Sequence, residues 1–334
     1  MPLTLPKGYT PKLSIYDTQT AIGLIKRDFQ DRLSTALNLK RVTAPLFVDP
    51  STGLNDNLSG VERPVNFELG HSGKYAEVVQ SLAKWKRMAL GNYGFKPGEG
   101  LYADMNAIRR DENPDNIHSI YTDQWDWERV IRPEDRTMDY LRATVRSIVR
   151  AIAATNEYVR NNYPVLGIDV EDNVFFVTSQ ELEDMYPDLT PKQRETAVTR
   201  EHGTVFIMQI GKKLRSGAPH DGRAPDYDDW ELNGDILVWD ELLGIALELS
   251  SMGIRVDSES LDRQLTLAGC DDRRSLTFHQ KLLSGELPLT IGGGIGQSRL
   301  CMFMLEKAHI GEVQASVWDE ETIIGCREAG IPLL

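Results

Sequence analysis

Chemistry is most concentrated at Thr290–Leu300, TIGGGIGQSRL. Gly292, Gly293, Gly294 and Gly296 fall within five residues there, and Arg299 follows at the start of a helical pattern through Leu300, Phe303 and Met304. Glycine lets backbone approach a ligand closely. A helix N-terminus favours anionic groups, and an arginine beside it offers a planar charged fork for phosphate or for stacking on a base. The segment therefore suggests a nucleotide site. It fits neither common nucleotide fingerprint: in G-x-G-x-x-G counted from Gly292 the last glycine would be Gln297, and no Lys-Ser/Thr pair follows the glycines.

Acids come next. Read as a strand, IYTDQWDWERV (120–130) carries Thr122, Gln124, Asp126 and Glu128 on one face and Tyr121, Asp123, Trp125, Trp127 and Arg129 on the other. The aromatic face is expected to pack on helices. The opposite face is either solvated, as in an ordinary amphipathic strand, or aimed at a ligand. In IALELSSMGIRV (245–256), Glu248 and Ser250 share one face while Leu247 and Leu249 share the other. An acid in so apolar a strand is either at the surface or costly unless it meets a cation. Mg²⁺ on ATP phosphates is a natural cation, since it needs only one or two protein carboxylates, and Asp235 in the preceding strand is the candidate second ligand. RAPDYDDW (223–230) reads as a solvated acidic loop unless Asp228 turns inward toward a ribose or an amine. Lys84, Lys86 and Arg87 in SLAKWKR are either a positive helix end or a clamp for an anionic substrate. The six histidines and the cysteines Cys270, Cys301 and Cys326 have no metal-ligand or nucleophile spacing; structural or surface roles are expected for the histidines, and thiols in a reducing compartment for the cysteines.

The elements that must position these groups are legible from periodicity. Helices are expected over residues 18–38 and 136–162. Another should begin at Thr190-Pro191-x-Gln193, a capping box with proline at the first helical position, and stop near Gly203. Further helices are expected at 258–268 and 272–284. Strands are expected at Val42–Val48, with Pro45 marking an edge or interface, and at 174–178, 205–210, 235–239 and 245–256. Strands in clusters, without strict β-α-β alternation, favour an α+β fold with a mainly antiparallel sheet flanked by helices. Nothing marks a boundary, so residues 1–334 are expected to form a single domain.

The 334 residues carry a formal net charge of −13, which argues against nucleic acid as the main partner. No apolar run approaches the roughly 18 residues of a membrane span, and MPLTLPKGYTPK lacks a signal-peptide core. A cytoplasmic location is expected.

The blocks DNLSG (56–60), SLAKWKR (81–87), GEGLY (98–102), DQWDWERV (123–130), APDYDDW (224–230), LNGDILVW (232–239), LELSSMGIRV (247–256) and TIGGGIGQSRL (290–300) run in order across nearly the whole chain. Together they resemble the asparagine synthetase A family of ammonia-dependent aspartate–ammonia ligases. More broadly, the Pro45 segment, Arg109 with its following hairpin, and Gly294–Arg299 resemble the three motifs of class II aminoacyl-tRNA synthetase catalytic cores. One departure is that only Glu231 separates APDYDDW from LNGDILVW, where the family has a longer segment.

The resemblance implies a homodimer that makes L-asparagine from L-aspartate, ATP and ammonia through β-aspartyl-AMP, with Mg²⁺ and with AMP and pyrophosphate as products. It implies that Arg109 bridges the reacting carboxylate and the α-phosphate, and that Arg299 lies against adenine or reaches the γ-phosphate. Asp235 and Glu248 should hold Mg²⁺. Asp56 should meet the substrate ammonium, Ser81 and Lys86 its α-carboxylate, and Gln124 its β-carboxylate, with Ser251 also on the aspartate side. Asp126, Asp228 and Gly294 are expected around the nucleotide or the ammonium site. Residue 2 is proline, so a glutaminase of the N-terminal cysteine type is not expected, and free ammonia should be the nucleophile. Two other readings are a tRNA synthetase, for which some 40 residues before the first motif leave little room for an anticodon domain, and a non-catalytic amino-acid sensor, which could dispense with the cluster Arg109, Asp235, Glu248 and Arg299.

Overall fold

The computed structural model describes residues 3–55, 58 and 62–334. The first long helix, α1 (Ile15–Leu37), starts where Ser14 accepts a hydrogen bond from the Asp17 amide and ends at Asn38 in the left-handed region, and its buried stripe includes Ile22, Ile25, Phe29, Leu33 and Leu37. The strands that follow are β1 (Leu39–Arg41), β2 (Phe47–Val48), β3 (Asn66–Leu69), β4 (Lys74–Val78), β5 (Gly100–Ile108), β6 (Tyr121–Val130), β7 (Phe175–Thr178), β8 (Thr204–Met208), β9 (Asp228–Asp240), β10 (Ile245–Arg255) and β11 (Thr290–Gly296). Eight of them form one sheet in the order β1-β5-β6-β11-β10-β9-β8-β7, and β2, β4 and β3 form a second.

The large sheet is mixed: the expected antiparallel pairing holds for five of its seven strand pairs but not at its edges. Its interior from β5 to β8 is antiparallel, but both edges are parallel pairs, β1 with β5 and β7 with β8. The strand expected over Val42–Val48 is not continuous either. The chain leaves the large sheet after Arg41 and re-enters pairing at Phe47, in the small sheet, and Pro45, which has no N–H to give, lies in the crossing. β9 runs unbroken through Glu231, so the two sequence blocks that meet there are one strand.

Helices α1, α3 (Met138–Asn162) and α8 (Gln297–Met304) bury their apolar faces against one side of the sheet, where Trp125 and Trp127 are completely buried. Phe29 of α1 packs on Trp125 with ring centroids 4.7 Å apart. This is the packing expected of the aromatic face of β6. The other side carries α2 (Ala83–Asn92) and the clustered α6 (Ser258–Leu267) and α7 (Thr277–Leu283). Between β7 and β8 come α4 (Ser179–Met185) and α5 (Pro191–His202). α5 has the Thr190/Gln193 capping box and ends at Gly203, as its sequence indicates. β8 stops two residues before the expected Ile210 because Gln209 adopts φ 63°. α7 is shorter than expected because extended Leu276 separates it from a 3₁₀ turn at Asp271–Ser275. The last helix is α9 (Glu320–Glu328). No helix among the described residues is long and apolar enough to cross a membrane.

After α8, His309 is fully buried, edge-on to Trp318, and its Nδ1 accepts a hydrogen bond from the Gly311 amide at 3.0 Å. That bond needs an unprotonated Nδ1, and burial holds the imidazole down at about 4, below its ordinary 6.5. The unfolded chain therefore binds one more proton than the native chain between those values, and stability falls as pH drops through that window. We expect a loss of up to about 3 kcal/mol between neutrality and about pH 4 from this group. Urea unfolding of the parent and of H309Q at both pH values checks it, the variant losing correspondingly less.

Candidate active site

A cleft of about 410 Å³ opens over the ends of β6, β11 and β10, and the turns after β5 and before β9 close its sides. Three arginines line it: Arg109, Arg223 and Arg299. Arg299, in the first turn of α8, is held by the backbone carbonyls of Ile117 (3.3 Å) and Glu248 (3.0 Å). Arg223 gives one hydrogen bond to Ser251 Oγ and another, at 2.7 Å, to Asp235. Arg109 differs from both. It follows β5, its backbone is fixed by the Ile120 carbonyl at 2.8 Å, and its Nε is buried without a partner. Its side chain makes no hydrogen bond or salt bridge among the described residues. Burial and the like charge of Arg299 push its guanidinium pKa down, with Glu112 and Glu248 opposing. A cation with no direct partner carries a desolvation cost that an anionic ligand would relieve.

Of the two acids expected to bind metal, Glu248 of β10 lines the cleft, whereas Asp235 of β9 lies just behind it under Arg223. A bulge between Glu248 and Ser250 shifts the alternation of β10. Ser250 is consequently buried with its hydroxyl unpartnered, while Glu248 and Ser251 both line the cleft. This corrects the face shared by Glu248 and Ser250 in the sequence. Asp235 stands opposite Ser251 across the β9–β10 ladder. Burial, opposed by Arg223 and reinforced by Glu248, pushes the Asp235 carboxyl up to about 6. The Glu248 carboxylate has no hydrogen bond or salt bridge among the described residues. Two neighbouring carboxylates, one of them free of any partner among the described residues, fit a magnesium ion shared with phosphates. No cluster of three or more potential metal ligands exists among the described residues, and Mg²⁺ on a nucleotide does not require one.

The glycine run is not a phosphate loop. Gly292–Gly296 lie in β11 between β6 and β10. Small residues are needed because neighbours cross the strand: a Cβ at Gly294 would sit 2.1 Å from Gln124 Oε1, and one at Gly293 would sit 2.5 Å from Met252 Cβ. Gly294 thus makes room for the Gln124 amide, and both line the cleft. The N-terminus of α8 already holds an anion of the protein's own, since the Ser298 amide donates to Asp123 at 3.0 Å.

Four other expected site residues lie elsewhere. Lys86 is completely buried and bonds Asp126, the Trp127 carbonyl at 2.9 Å and the Gly293 carbonyl at 3.3 Å. Asp126, opposite Gly294 in the β6–β11 ladder, is spent on Lys86. Asp228 turns inward as one sequence reading required, but toward Arg255 and not into the cleft. Ser81 accepts the Ala83 amide at 3.1 Å at the start of α2. Asp56 lies outside the described residues. Conversely, Arg223 and Tyr227 reach the cleft without having been singled out; the only signal was an arginine three residues before the first aspartate.

The fold belongs to the class II aminoacyl-tRNA synthetase type. Over 96% of its length the chain superposes on asparaginyl-tRNA synthetase from Pyrococcus horikoshii complexed with asparaginyl-adenylate, with a TM-score of 0.66, 16% identity and 76% of that chain covered. The enzyme from Entamoeba histolytica, also in complex with asparaginyl-adenylate, gives a TM-score of 0.62 at 14% identity over 90% of this chain and 66% of that one. Within that fold the family is specific. Residues 16–330 match the aspartate–ammonia ligase family. The chain is 59% identical over 333 residues to the aspartate–ammonia ligase of Ruminiclostridium cellulolyticum, covering 99% of each. It is 57% identical to that of Levilactobacillus brevis over the full length of both. The chain belongs to the aspartate–ammonia ligase family, ligases that form a C–N bond between aspartate and ammonia.

Proposed function

We propose that this protein makes L-asparagine by an AMP-forming route in the cleft described above. In the first step an oxygen of the aspartate β-carboxylate attacks the α-phosphorus of ATP and pyrophosphate leaves. In the second, ammonia attacks the carbonyl carbon of β-aspartyl-AMP, the bond to the phosphate oxygen breaks, AMP leaves and the nitrogen sheds a proton to water. The observation that carries this is Arg109, whose Nε is buried and whose side chain has no hydrogen bond or salt bridge among the described residues, set in the same cleft as Glu248, a carboxylate likewise unpaired among them.

Arg109 is assigned to the reacting carboxylate and the α-phosphate, where negative charge builds during transfer. Arg299 is assigned to the adenine or the γ-phosphate, and Arg223 to the phosphates beside Asp235. Gln124 and Ser251 face the aspartate, with Gly294 leaving space for the amide. Asp56 is kept for the substrate ammonium and Ser81 for its α-carboxylate. Lys86 supplies positive charge beneath that end of the cleft and would reach the substrate by exchanging Asp126 for it. Asp228 acts from below, by fixing Arg255. Asp235 and Glu248 would hold Mg²⁺, which neutralises phosphate charge when bound. The substrates are small molecules, with no role for nucleic acid. A homodimer is included, supported by the exposed Leu46, Phe47 and Phe67 on the small sheet beside the Pro45 segment. We take the chain as one catalytic domain working in the cytoplasm.

Product analysis with aspartate, ATP, Mg²⁺ and ammonium tests the route. Asparagine with AMP and pyrophosphate is expected; ADP and phosphate would rule it out. Equal rates from glutamine in the absence of ammonia would contradict ammonia as the direct nucleophile.

A further inference from the structure

The stretch RAPDYDDW looks solvated in sequence, yet Asp226, Asp228 and Asp229 are 0, 0 and 6% exposed. Each is bound to cations of different elements. Asp226 Oδ2 accepts from Lys84 of α2 at 3.0 Å, from Arg273 of the turn before α7 at 2.9 Å, and from His279 of α7 at 2.9 Å. Asp228 pairs with Arg255 of β10, and Asp229 with Arg136 at 2.8 Å. The backbone is pinned as well: Gln264 donates to the Pro225 and Asp228 carbonyls at 2.9 and 3.0 Å, and the Val256 amide donates to the Tyr227 carbonyl at 2.9 Å. Residues 223–229 therefore form a buried strap tying α2, α6, α7 and β10 together, with Arg223 entering the cleft at one end.

We propose that Asp226 is a positioning residue for asparagine synthesis: held by Lys84, Arg273 and His279, it sets where Arg223 stands over Asp235 and Ser251. Stability alone is a poor reason for such a cluster, because a buried ionic group can often be replaced by apolar side chains without loss. The cluster is also incompletely satisfied, since Asp226 Oδ1 and His279 Nδ1 have no hydrogen-bond partner. What an ionic anchor with several directed bonds does well is fix register. The backbone bonds to Gln264 and Val256 begin at Pro225, so the side chain of Asp226 is the anchor nearest Arg223 that reaches α2, the helix carrying Lys86. The strap thereby links the phosphate side of the cleft to the layer beneath the proposed aspartate side.

The inference rests on the cleft being the site of reaction, and a double-mutant cycle separates the two. We expect D226N to remain folded and to lower kcat/KM for ATP roughly 10- to 100-fold, the range typical of removing an outer hydrogen-bonding partner of a site residue. H279Q, which leaves Lys84 and Arg273 on the carboxylate, should lower the same parameter by less. R223K alone should be impaired, and D226N/R223K should be no slower than the worse single variant, because Asp226 acts through Arg223. Losses that multiply in the double variant, a wild-type rate in D226N, or failure of both D226N and H279Q to fold would each overturn the positioning role. A wild-type rate in R223K would instead overturn the assignment of the cleft.

Discussion

Arg109→Ala is expected to lower asparagine formation by roughly 100- to 1,000-fold, the loss typical when a preorganised group facing transition-state charge is removed. The same change should leave unfolding free energy in urea within about 1 kcal/mol of the parent, or raise it. Both halves come from one geometry. The Arg109 side chain bonds nothing among the described residues, its Nε is buried, and Arg299 adds like charge. Folding gains little from such a group and pays for its desolvation, so its removal harms chemistry alone. Arg109→Lys should recover only part of the rate, because an ammonium cannot span two acceptors as a planar fork does. A variant that turns over normally would remove Arg109 from the adenylation step. One that is inactive because it is unfolded would show that the guanidinium has a structural partner.

Asp126→Ala is expected to act in the opposite sense, on stability first. Lys86 is fully buried, with Asp126 as its close partner and the nearest carboxylate oxygen of Glu128 at 3.9 Å. Glu128 is itself engaged by Arg255 at 3.2 Å. Removing Asp126 leaves a buried ammonium poorly compensated, and breaking such a pair costs about 3–5 kcal/mol. The pH dependence carries a sign. Burial already pushes the Lys86 ammonium below its usual range, with Asp126 and Glu128 opposing. Without Asp126 it drops further, and a lysine that binds its proton more weakly in the native state gains stability as pH rises toward its unfolded value. Part of the loss should therefore return on the alkaline side. Urea unfolding of D126A at neutral and alkaline pH checks both statements. A loss under about 1 kcal/mol at neutrality would mean that the pair is not held as described.

Some of this was legible in the sequence for physical reasons that can be named. Long amphipathic helices announce themselves by period, as α1 and α3 did, and Thr190-Pro191-x-Gln193 named the start of α5 by hydrogen-bond chemistry alone. Gln124, Glu248 and Gly294 stood out because an amide, an acid or a run of glycines is out of place in an apolar strand, and Arg299 because it opens a helix directly after the glycines. The misplacements have a common cause. Whether a charged group faces a ligand or another charge is decided by long-range packing, which no local pattern carries. Asp126 and Asp228 could not be separated from cleft acids without knowing that Lys86 and Arg255 arrive from α2 and β10. The same ambiguity made the strap around Asp226 look like a solvated loop and left Arg223 unnoticed. The glycine run misled differently: glycine permits close approach by any neighbour, and here the neighbours are Gln124 and Met252. The bulge in β10, which replaces Ser250 by Ser251 beside Glu248, leaves no mark in a period-two pattern.

The most direct test of the adenylate route is exchange of labelled pyrophosphate into ATP with aspartate and Mg²⁺ present and ammonia absent. Formation of β-aspartyl-AMP is reversible before ammonia arrives, so we predict exchange that requires aspartate, is abolished by R109A and is suppressed when ammonium is added to drain the intermediate. Aspartate binding without any exchange, in a protein that still makes asparagine once ammonium is supplied, would contradict it.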